Sequence, residues 1–146
     1  MKAFQSIKYW IFDLDNTLYS AETKVFDQVE KRMTEYVSNK LNTNMNEAKK
    51  IQKNYFYKYN TTLNGLIKNH QVDAKEFLEF VHNIDISFLK KDLELSEELK
   101  KLDGKKIIFT NGPKKHALNI IQKIGIDHHF DGIFDIIDSN FVPKPI

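Results

Sequence analysis

The chain contains no cysteine. This absence excludes a disulfide framework, a thiolate metal site and a cysteine nucleophile. No apolar run approaches the roughly 18 residues that a membrane span requires. Residues 1–5 lack the long hydrophobic stretch of a secretion signal. We therefore expect a cytoplasmic protein that has no membrane partner.

The chain also lacks a large excess of either charge. Its 22 basic and 20 acidic residues give a net charge of +2, whereas nucleic-acid-binding domains typically carry a clustered basic surplus. Adjacent lysines such as Lys49 and Lys50 are most simply solvated helix faces. The composition therefore indicates no nucleic-acid partner. A chain of 146 residues can bury about two-thirds of its unfolded surface, which is enough for a core without covalent staples.

A predicted strand, residues 7–12, ends in an apolar run that leads directly into Asp13 and Asp15, and Thr17 follows two positions later. Side chains of a strand alternate between faces, but a chain that turns as it leaves the strand can aim both carboxylates into one crevice. That arrangement suits phosphoryl transfer. By itself, an Asp-x-Asp pair at a strand end is as typical of a turn or a helix cap as of a catalytic site.

Residues 20–86 carry helical patterns. Apolar positions follow helical spacing through residues 25–37 and again through residues 45–59. Asn44 with Glu47, and Asp73 with Glu76, have the spacing of helix N-caps followed by an acidic residue three positions later. We expect this block to be entirely helical.

The rest of the chain alternates strand and helix signals. Ser96 predicts the start of a short helix, and residues 105–110 are typical of a buried strand. Pro113 predicts a second helix start, Gly125 its end, and residues 132–137 another strand. The inner stripe of that second helix comprises Ala117, Ile120, Ile121 and Ile124. This alternation predicts an α/β fold with a parallel sheet wound by right-handed crossovers.

In such a sheet Asp13 and Thr110 follow two parallel strands, at the edge where open α/β sheets bind their ligands. A helix that starts soon after Thr110 presents backbone N–H groups near its first turn. The turn at Asn111 and Gly112 is therefore a candidate anion cradle.

Three motifs occur in a characteristic order. The segment DLDNTL begins at Asp13, Thr110 and Asn111 follow a strand, and Lys144 precedes Pro145. With this combination the chain resembles the haloacid dehalogenase-like hydrolases, whose nucleophile motif is DxDxT. A further set of residues resembles the pyrimidine 5'-nucleotidase branch of that family. This set comprises Tyr19, Tyr55, Tyr59, Gly65, Leu66 and residues 80–85.

The resemblance implies an α/β, Rossmann-like core formed by residues 1–19 and 87–146. Residues 20–86 would form an inserted all-helical cap. An acidic motif normally follows the lysine motif in this family, and its spacing places it beyond Ile146. We therefore expect the core to be incomplete at its C-terminus.

The resemblance also implies a role for each motif residue. Asp13 would attack phosphorus to give an aspartyl-phosphate, and Asp15 would serve as general acid and then general base. Thr110 and Asn111 would bind the phosphate oxygens, and Lys144 would oppose their negative charge. Thr17 would order the turn that carries both aspartates.

The cofactor implied by the resemblance is Mg²⁺, bound by the Asp13 carboxylate and the Asp15 backbone carbonyl. Oxygen ligands with retained waters are what this ion prefers. The implied substrate is a small phosphate monoester, in particular a pyrimidine nucleoside 5'-monophosphate. Tyr55 and Tyr59, one helical turn apart, are candidates for substrate contact, although such aromatic pairs are more often core packing.

Two alternatives remain open at this point. One is a receiver-like signalling module, which also uses an aspartate, a hydroxyl residue and a lysine on a parallel sheet, but without a long helical insertion. The other is a truncated or catalytically inactive remnant of the same hydrolase family. The sequence gives no indication of the oligomeric state.

Overall fold

The computed structural model describes residues 8–144, which divide into two compact units. Within the described range, the first unit comprises residues 8–23 and 86–140 and contains a sheet. The second unit comprises residues 24–85 and 141–144 and is built mainly from helices. Residues 1–7, Pro145 and Ile146, on which parts of the sequence predictions fall, lie outside the described residues.

The sheet unit contains three parallel strands in the order β1-β2-β3: β1 (Tyr9–Phe12), β2 (Lys105–Phe109) and β3 (Gly132–Phe134). Phe12 pairs with Ile108, and Ile108 pairs with Ile133. Ile108 is fully buried at the centre of the sheet. The predicted α/β architecture with a parallel sheet is confirmed, and β1 and β2 end beside each other.

The third strand is shorter than the predicted residues 132–137, since it ends at Phe134. The next residue, Asp135, turns its side chain toward the backbone amide of Lys114. Asp135 and Asp138 also accept hydrogen bonds from each other's backbone amides, at 2.8 and 3.0 Å. These contacts close a turn in place of a further strand pairing.

In the chain, α5 (Leu93–Lys100) precedes β2 and α6 (Lys114–Lys123) follows it. The predicted start of α5 at Ser96 is wrong, because the Asp92 side chain caps the helix by accepting a hydrogen bond from the Leu95 amide at 3.0 Å. The Ser96 hydroxyl instead lies 2.8 Å from Nε2 of His129.

Helix α6 begins directly after Pro113, as predicted, and its predicted inner stripe is buried. Gly125 follows the helix with φ of 77°, a backbone conformation that glycine adopts without steric cost. The apolar stripe and the glycine stop therefore act together to set the length and the buried face of this helix.

The helical unit contains four α-helices: α1 (Val25–Leu41), α2 (Met45–Tyr59), α3 (Thr62–His70) and α4 (Ala74–Val81). Asn44 caps α2 through the Glu47 amide, and Asp73 caps α4 through the amides of Lys75 and Glu76. Both predicted N-caps are confirmed. A short 3₁₀ turn at Ala21–Thr23 precedes α1.

The helices of this unit are joined by aromatic and polar contacts. The Tyr36 ring on α1 packs edge-on against Phe77, with ring centroids 5.1 Å apart. The Thr34 hydroxyl donates a hydrogen bond to the Gln52 side chain across α1 and α2. Gly65 on α3 lies so close to α2 that an added Cβ would come within 2.5 Å of the Tyr55 Cβ. Glycine at position 65 therefore permits the close approach of α2 and α3.

Trp10, the single tryptophan of the chain, lies on β1. Its indole N–H donates a hydrogen bond of 2.8 Å to the backbone carbonyl of Asp103, in the loop before β2. This bond ties the first strand to the segment that enters the second. Among residues 8–144, none of the helices combines the length and apolar character needed to cross a membrane.

Candidate active site

The first site residue, Asp13, directly follows β1 and is exposed. Its Oδ1 accepts a hydrogen bond of 2.9 Å from the Leu14 amide, and the Thr17 hydroxyl lies 3.4 Å from its Oδ2. The same hydroxyl lies 3.5 Å from the Asp15 carbonyl oxygen. The carboxylate of Asp13 and the carbonyl of Asp15 thus face one side of the turn. The Thr17 hydroxyl lies near both groups, a position from which it can order the turn.

The turn itself is tight. The amides of Thr17 and Leu18 donate to the Leu14 carbonyl at 3.2 and 2.9 Å, and Asn16 adopts φ of 57°. Asparagine tolerates this left-handed conformation better than most residues. The turn brings the Asp13 carboxylate, the Asp15 carbonyl and the Thr17 hydroxyl into one cluster.

The Asp15 carboxylate has two side-chain partners on one oxygen. The Tyr19 hydroxyl donates to Asp15 Oδ1 at 2.6 Å, and Nε2 of His116 lies 2.9 Å from the same atom. Burial of the phenol, together with the neighbouring Asp15 charge, raises the pKa of Tyr19 far above its ordinary value. Tyr19 therefore remains a hydroxyl donor across the physiological pH range.

Thr110 and Asn111 directly follow β2, and the register places Thr110 beyond the end of β1 at the same edge as Asp13. Thr110 is 1% exposed, and its backbone amide donates to the Phe134 carbonyl at 3.0 Å. Its hydroxyl accepts a hydrogen bond of 3.0 Å from the Gly112 amide. The predicted phosphate loop is thus held from both sides, with Asn111 partly exposed at its tip.

The Asp135 carboxylate fixes the helix that follows this loop. The Asp135 side chain is 3% exposed and accepts a hydrogen bond of 2.7 Å from the Lys114 amide at the first turn of α6. The Asp135 amide donates to the Asp138 carboxylate and lowers the pKa of Asp138. Nζ of Lys114 lies 3.9 Å from Asp138, which adds a weaker, solvent-exposed attraction.

The other predicted site residues belong to the helical unit. Lys144 lies in the segment 141–144, which groups with that unit, and it is partly exposed. Tyr55 and Tyr59 form an edge-to-face pair with ring centroids 5.7 Å apart, and the Tyr55 hydroxyl lies 2.8 Å from Nε2 of His70. The structure therefore brings Asp13, Asp15 and the 110–112 loop to one end of the sheet. The roles of Lys144, Tyr55 and Tyr59 stay predictions.

The sequence analysis missed His116 and Asp135 as site residues. His116 had a signal, because it lies one turn before Ile120 on the apolar stripe of α6, where a polar side chain needs a buried partner. No sequence signal distinguished Asp135 beyond its position after a strand, because the Lys114 amide that it caps lies 21 residues earlier.

The residues at the end of β1 offer the type of donor atom that Mg²⁺ binds. The Asp13 carboxylate and the Asp15 carbonyl are oxygen donors, and both lie within 3.5 Å of the same Thr17 hydroxyl. Mg²⁺ prefers oxygen donors and retains several waters, so a site with few protein ligands suits it. Within residues 8–144, no three histidine or acidic side chains are grouped closely enough to hold a metal among themselves.

The fold and these motifs define the class of the protein. The sequence model of the haloacid dehalogenase-like hydrolase family matches residues 7–146, and the chain belongs to that family. This membership favours the hydrolase interpretation over a receiver-like module.

A particular relative and a solved structure add detail. The chain is 34% identical over 155 residues to phosphate metabolism protein 8 of Saccharomyces cerevisiae (strain ATCC 204508 / S288c). That alignment covers 94% of this chain and 48% of the relative, so the chain spans about half the length of the curated protein it matches. A structure of a Thermotoga maritima protein assigned as a beta-phosphoglucomutase matches with a TM-score of 0.45 and 17% identity, over 90% of this chain and 62% of that one. A likeness at that level supports no statement about activity.

Proposed function

We propose that the chain carries the nucleophile-bearing part of a phosphomonoester hydrolase that uses Mg²⁺ and an aspartyl-phosphate intermediate. The observation that supports this most directly is the cluster formed by Asp13, Asp15 and the loop after Thr110 at one end of a parallel sheet. Family membership supports the reaction class, and the positions of the motif residues support the roles below.

The first step of the proposed reaction is attack by an Asp13 carboxylate oxygen on phosphorus. Two like charges about 4 Å apart repel by about 4 kcal/mol at an effective dielectric near 20, so the attack needs neighbouring positive charge. Mg²⁺ held by the Asp13 carboxylate and the Asp15 carbonyl would supply part of that charge. We assign a further part of that positive charge to the Lys144 side chain.

Asp15 transfers the proton in both half-reactions. As the bond from Asp13 to phosphorus forms, the bond from phosphorus to the ester oxygen breaks, and Asp15 gives its proton to the departing alcohol. Water then attacks the aspartyl-phosphate, Asp15 takes the proton from that water, and phosphate leaves. General acid and base catalysis of this kind contributes about 10² to 10⁴ in rate.

Thr110 and Asn111 would bind the equatorial phosphate oxygens. The Thr110 hydroxyl is already bonded to the Gly112 amide and the Thr110 amide to the Phe134 carbonyl, so the loop is preorganised. Donors that need no rearrangement stabilise the charge that develops in the transition state most effectively. We therefore assign these two residues to phosphate binding.

We further propose that residues 20–86 act as a cap that selects the substrate, and that the substrate is a pyrimidine nucleoside 5'-monophosphate. Support comes from the resemblance to the pyrimidine 5'-nucleotidases and from the surroundings of Tyr59. Nζ atoms of Lys58 and Lys68 lie 5.4 and 5.7 Å from its ring centroid. An aromatic ring with adjacent cations suits a stacked base that carries a phosphate.

The test compares the native chain with Asp13→Asn, using UMP, GMP and glycerol phosphate in the presence of Mg²⁺. We expect phosphate release by the native chain and its loss in the variant, with unchanged circular dichroism. Asp127→Asn, which alters an exposed carboxyl in the 3₁₀ turn after α6, is the matched control. Beryllium fluoride should bind to Asp13. Equal activity of Asp13→Asn would reject Asp13 as nucleophile, and inactivity of the native chain with all three esters would favour the remnant interpretation.

A further inference from the structure

His116 is a polar residue in an otherwise apolar stripe. It lies in the first turn of α6, it is 4% exposed, and its neighbours Ala117 and Ile120 are fully buried. Burial of an imidazole is costly unless its polar atoms find partners. Its partner is Oδ1 of Asp15, 2.9 Å away from Nε2 and 101 residues earlier in the chain.

Tyr19 contacts the same Asp15 oxygen. Its hydroxyl lies 2.6 Å from Oδ1, and the residue is 5% exposed. Oδ1 of Asp15 accepts hydrogen bonds both when the carboxyl group is ionised and when Oδ2 carries its proton, so the His116 nitrogen that faces Oδ1 carries a proton and donates it. Two donors that converge on one oxygen hold the carboxylate in one orientation, because rotation about its last side-chain bond would break both hydrogen bonds.

The two donors differ in what they connect. Tyr19 follows Asp15 by four residues and belongs to the same local segment. His116 instead ties Asp15 to α6, the helix that starts beyond the Thr110 loop and that Asp135 caps. The contact of His116 with Asp15 therefore joins the end of β1 to the helix that follows the Thr110 loop.

We propose that His116 is a positioning residue for Asp15: its N–H holds Oδ1, so that Oδ2 is the oxygen that exchanges a proton with the ester and with water. This inference rests on the proposed function, in which Asp15 is the general acid and base. His116 would act through Asp15 and would not itself contact the substrate. A displacement of about 1 Å in such a group can lower the rate by about 10²-fold.

The test uses two side chains of similar size at position 116. His116→Gln keeps an N–H donor, whereas His116→Met replaces it by an apolar chain of matching length. Asn119→Ala, on an exposed position of the same helix, is the control. Each protein is assayed with p-nitrophenyl phosphate and with glycerol phosphate. The nitrophenolate group leaves without needing a proton, whereas the glycerol alkoxide requires one.

Both esters form the same aspartyl-phosphate, and its hydrolysis also uses Asp15, so the comparison is made on the first half-reaction, as the rate of alcohol release in a single turnover. We expect His116→Met to lower this rate by about 10- to 100-fold for glycerol phosphate and by less than about threefold for p-nitrophenyl phosphate. His116→Gln should recover most of the loss, and Asn119→Ala should behave as the native protein. Equal losses for both esters in His116→Met, or no recovery in His116→Gln, would overturn the proposal, because a general packing defect does not depend on the leaving group.

A crystal structure of each variant gives a readout that does not depend on activity. The Asp15 carboxylate should turn away from its native orientation in His116→Met and keep it in His116→Gln. An unchanged Asp15 in His116→Met would overturn the positioning role even if activity fell. If the native protein hydrolyses neither ester, the proposed function fails, and the orientation of Asp15 in these two structures still decides whether His116 positions it.

Discussion

The carboxylate of Asp135 accepts a hydrogen bond of 2.7 Å from the backbone amide of Lys114, although 21 residues separate them. Helix α6 receives no side-chain cap from its own cap residue, Pro113. Its first turn is therefore capped from the far end of β3, by a negative charge at the positive end of the helix dipole. Asp135, the residue after the third strand, thus also caps the helix that follows the Thr110 loop.

Replacement of this cap should destabilise the sheet unit. Asp135→Ala removes the acceptor for two backbone amides, those of Lys114 and Asp138, and should cost about 2 kcal/mol of unfolding free energy. Asp135→Asn keeps an acceptor oxygen and should cost less. Urea unfolding of both variants measures the difference. If the alanine variant unfolds at the native midpoint, the cap contributes nothing to stability.

Gly65 should not tolerate a methyl group. The added Cβ of Gly65→Ala would meet the base of the Tyr55 side chain at 2.5 Å, where no flexible end can move aside. Overpacking of this kind costs about 1–3 kcal/mol, which exceeds the gain of about 1 kcal/mol from the better helix propensity of alanine. Gly132→Ala is the control, because nothing lies within 4 Å of its added Cβ. Thermal unfolding should shift for the first variant and stay nearly constant for the second.

Tyr36 should make the helical unit sensitive to alkaline pH. Burial, together with the hydrogen bond to Glu76, raises the pKa of Tyr36 from 10.0 to about 12. Since the folded pKa lies above the unfolded one, this stabilisation is complete below pH 10 and is lost as the pH rises to about 12. The urea midpoint should fall across that interval. The urea midpoint of Tyr36→Phe should fall less steeply over the same pH interval. An equal slope in both proteins would contradict the assignment of this pH dependence to Tyr36.

The proposed contact of Tyr59 with substrate can be separated from its packing. Tyr59→Ala should lower the rate for UMP more than the rate for glycerol phosphate, because only the nucleotide carries a base that could stack on the ring. Tyr57→Ala, which removes an aromatic ring that is 83% exposed two residues earlier, is the matched control. Unchanged relative rates for UMP, GMP and glycerol phosphate would remove Tyr59 from the specificity argument.

Local signals in the sequence were sufficient for much of the fold. The caps at Asn44 and Asp73 were predictable because a cap and the amide that it binds lie three residues apart or closer. The parallel arrangement of β1 and β2 followed from the alternation of strands and helices. The clustering of Asp13 with Thr110 followed in turn, since both residues come directly after a strand.

Long-range contacts were beyond the reach of those signals. Ser96 resembles a helix cap, but the competing cap Asp92 begins the helix earlier, and Ser96 pairs with His129 instead. β3 ends early because Asp135 contacts an amide on α6, and no pattern around residue 135 reveals that partner. His116 was not singled out from the sequence, because its partner Asp15 lies 101 residues earlier in the chain.

The bond between the Trp10 indole and Asp103 has a practical consequence. The one indole of the chain reports, through its fluorescence, on the strand that leads into Asp13, whereas residues 24–85 contribute no tryptophan emission at all. Far-ultraviolet circular dichroism is dominated by helices and follows mainly the other unit. Melting curves recorded by the two optical signals on a single sample therefore reveal whether the halves of this chain unfold together or in sequence.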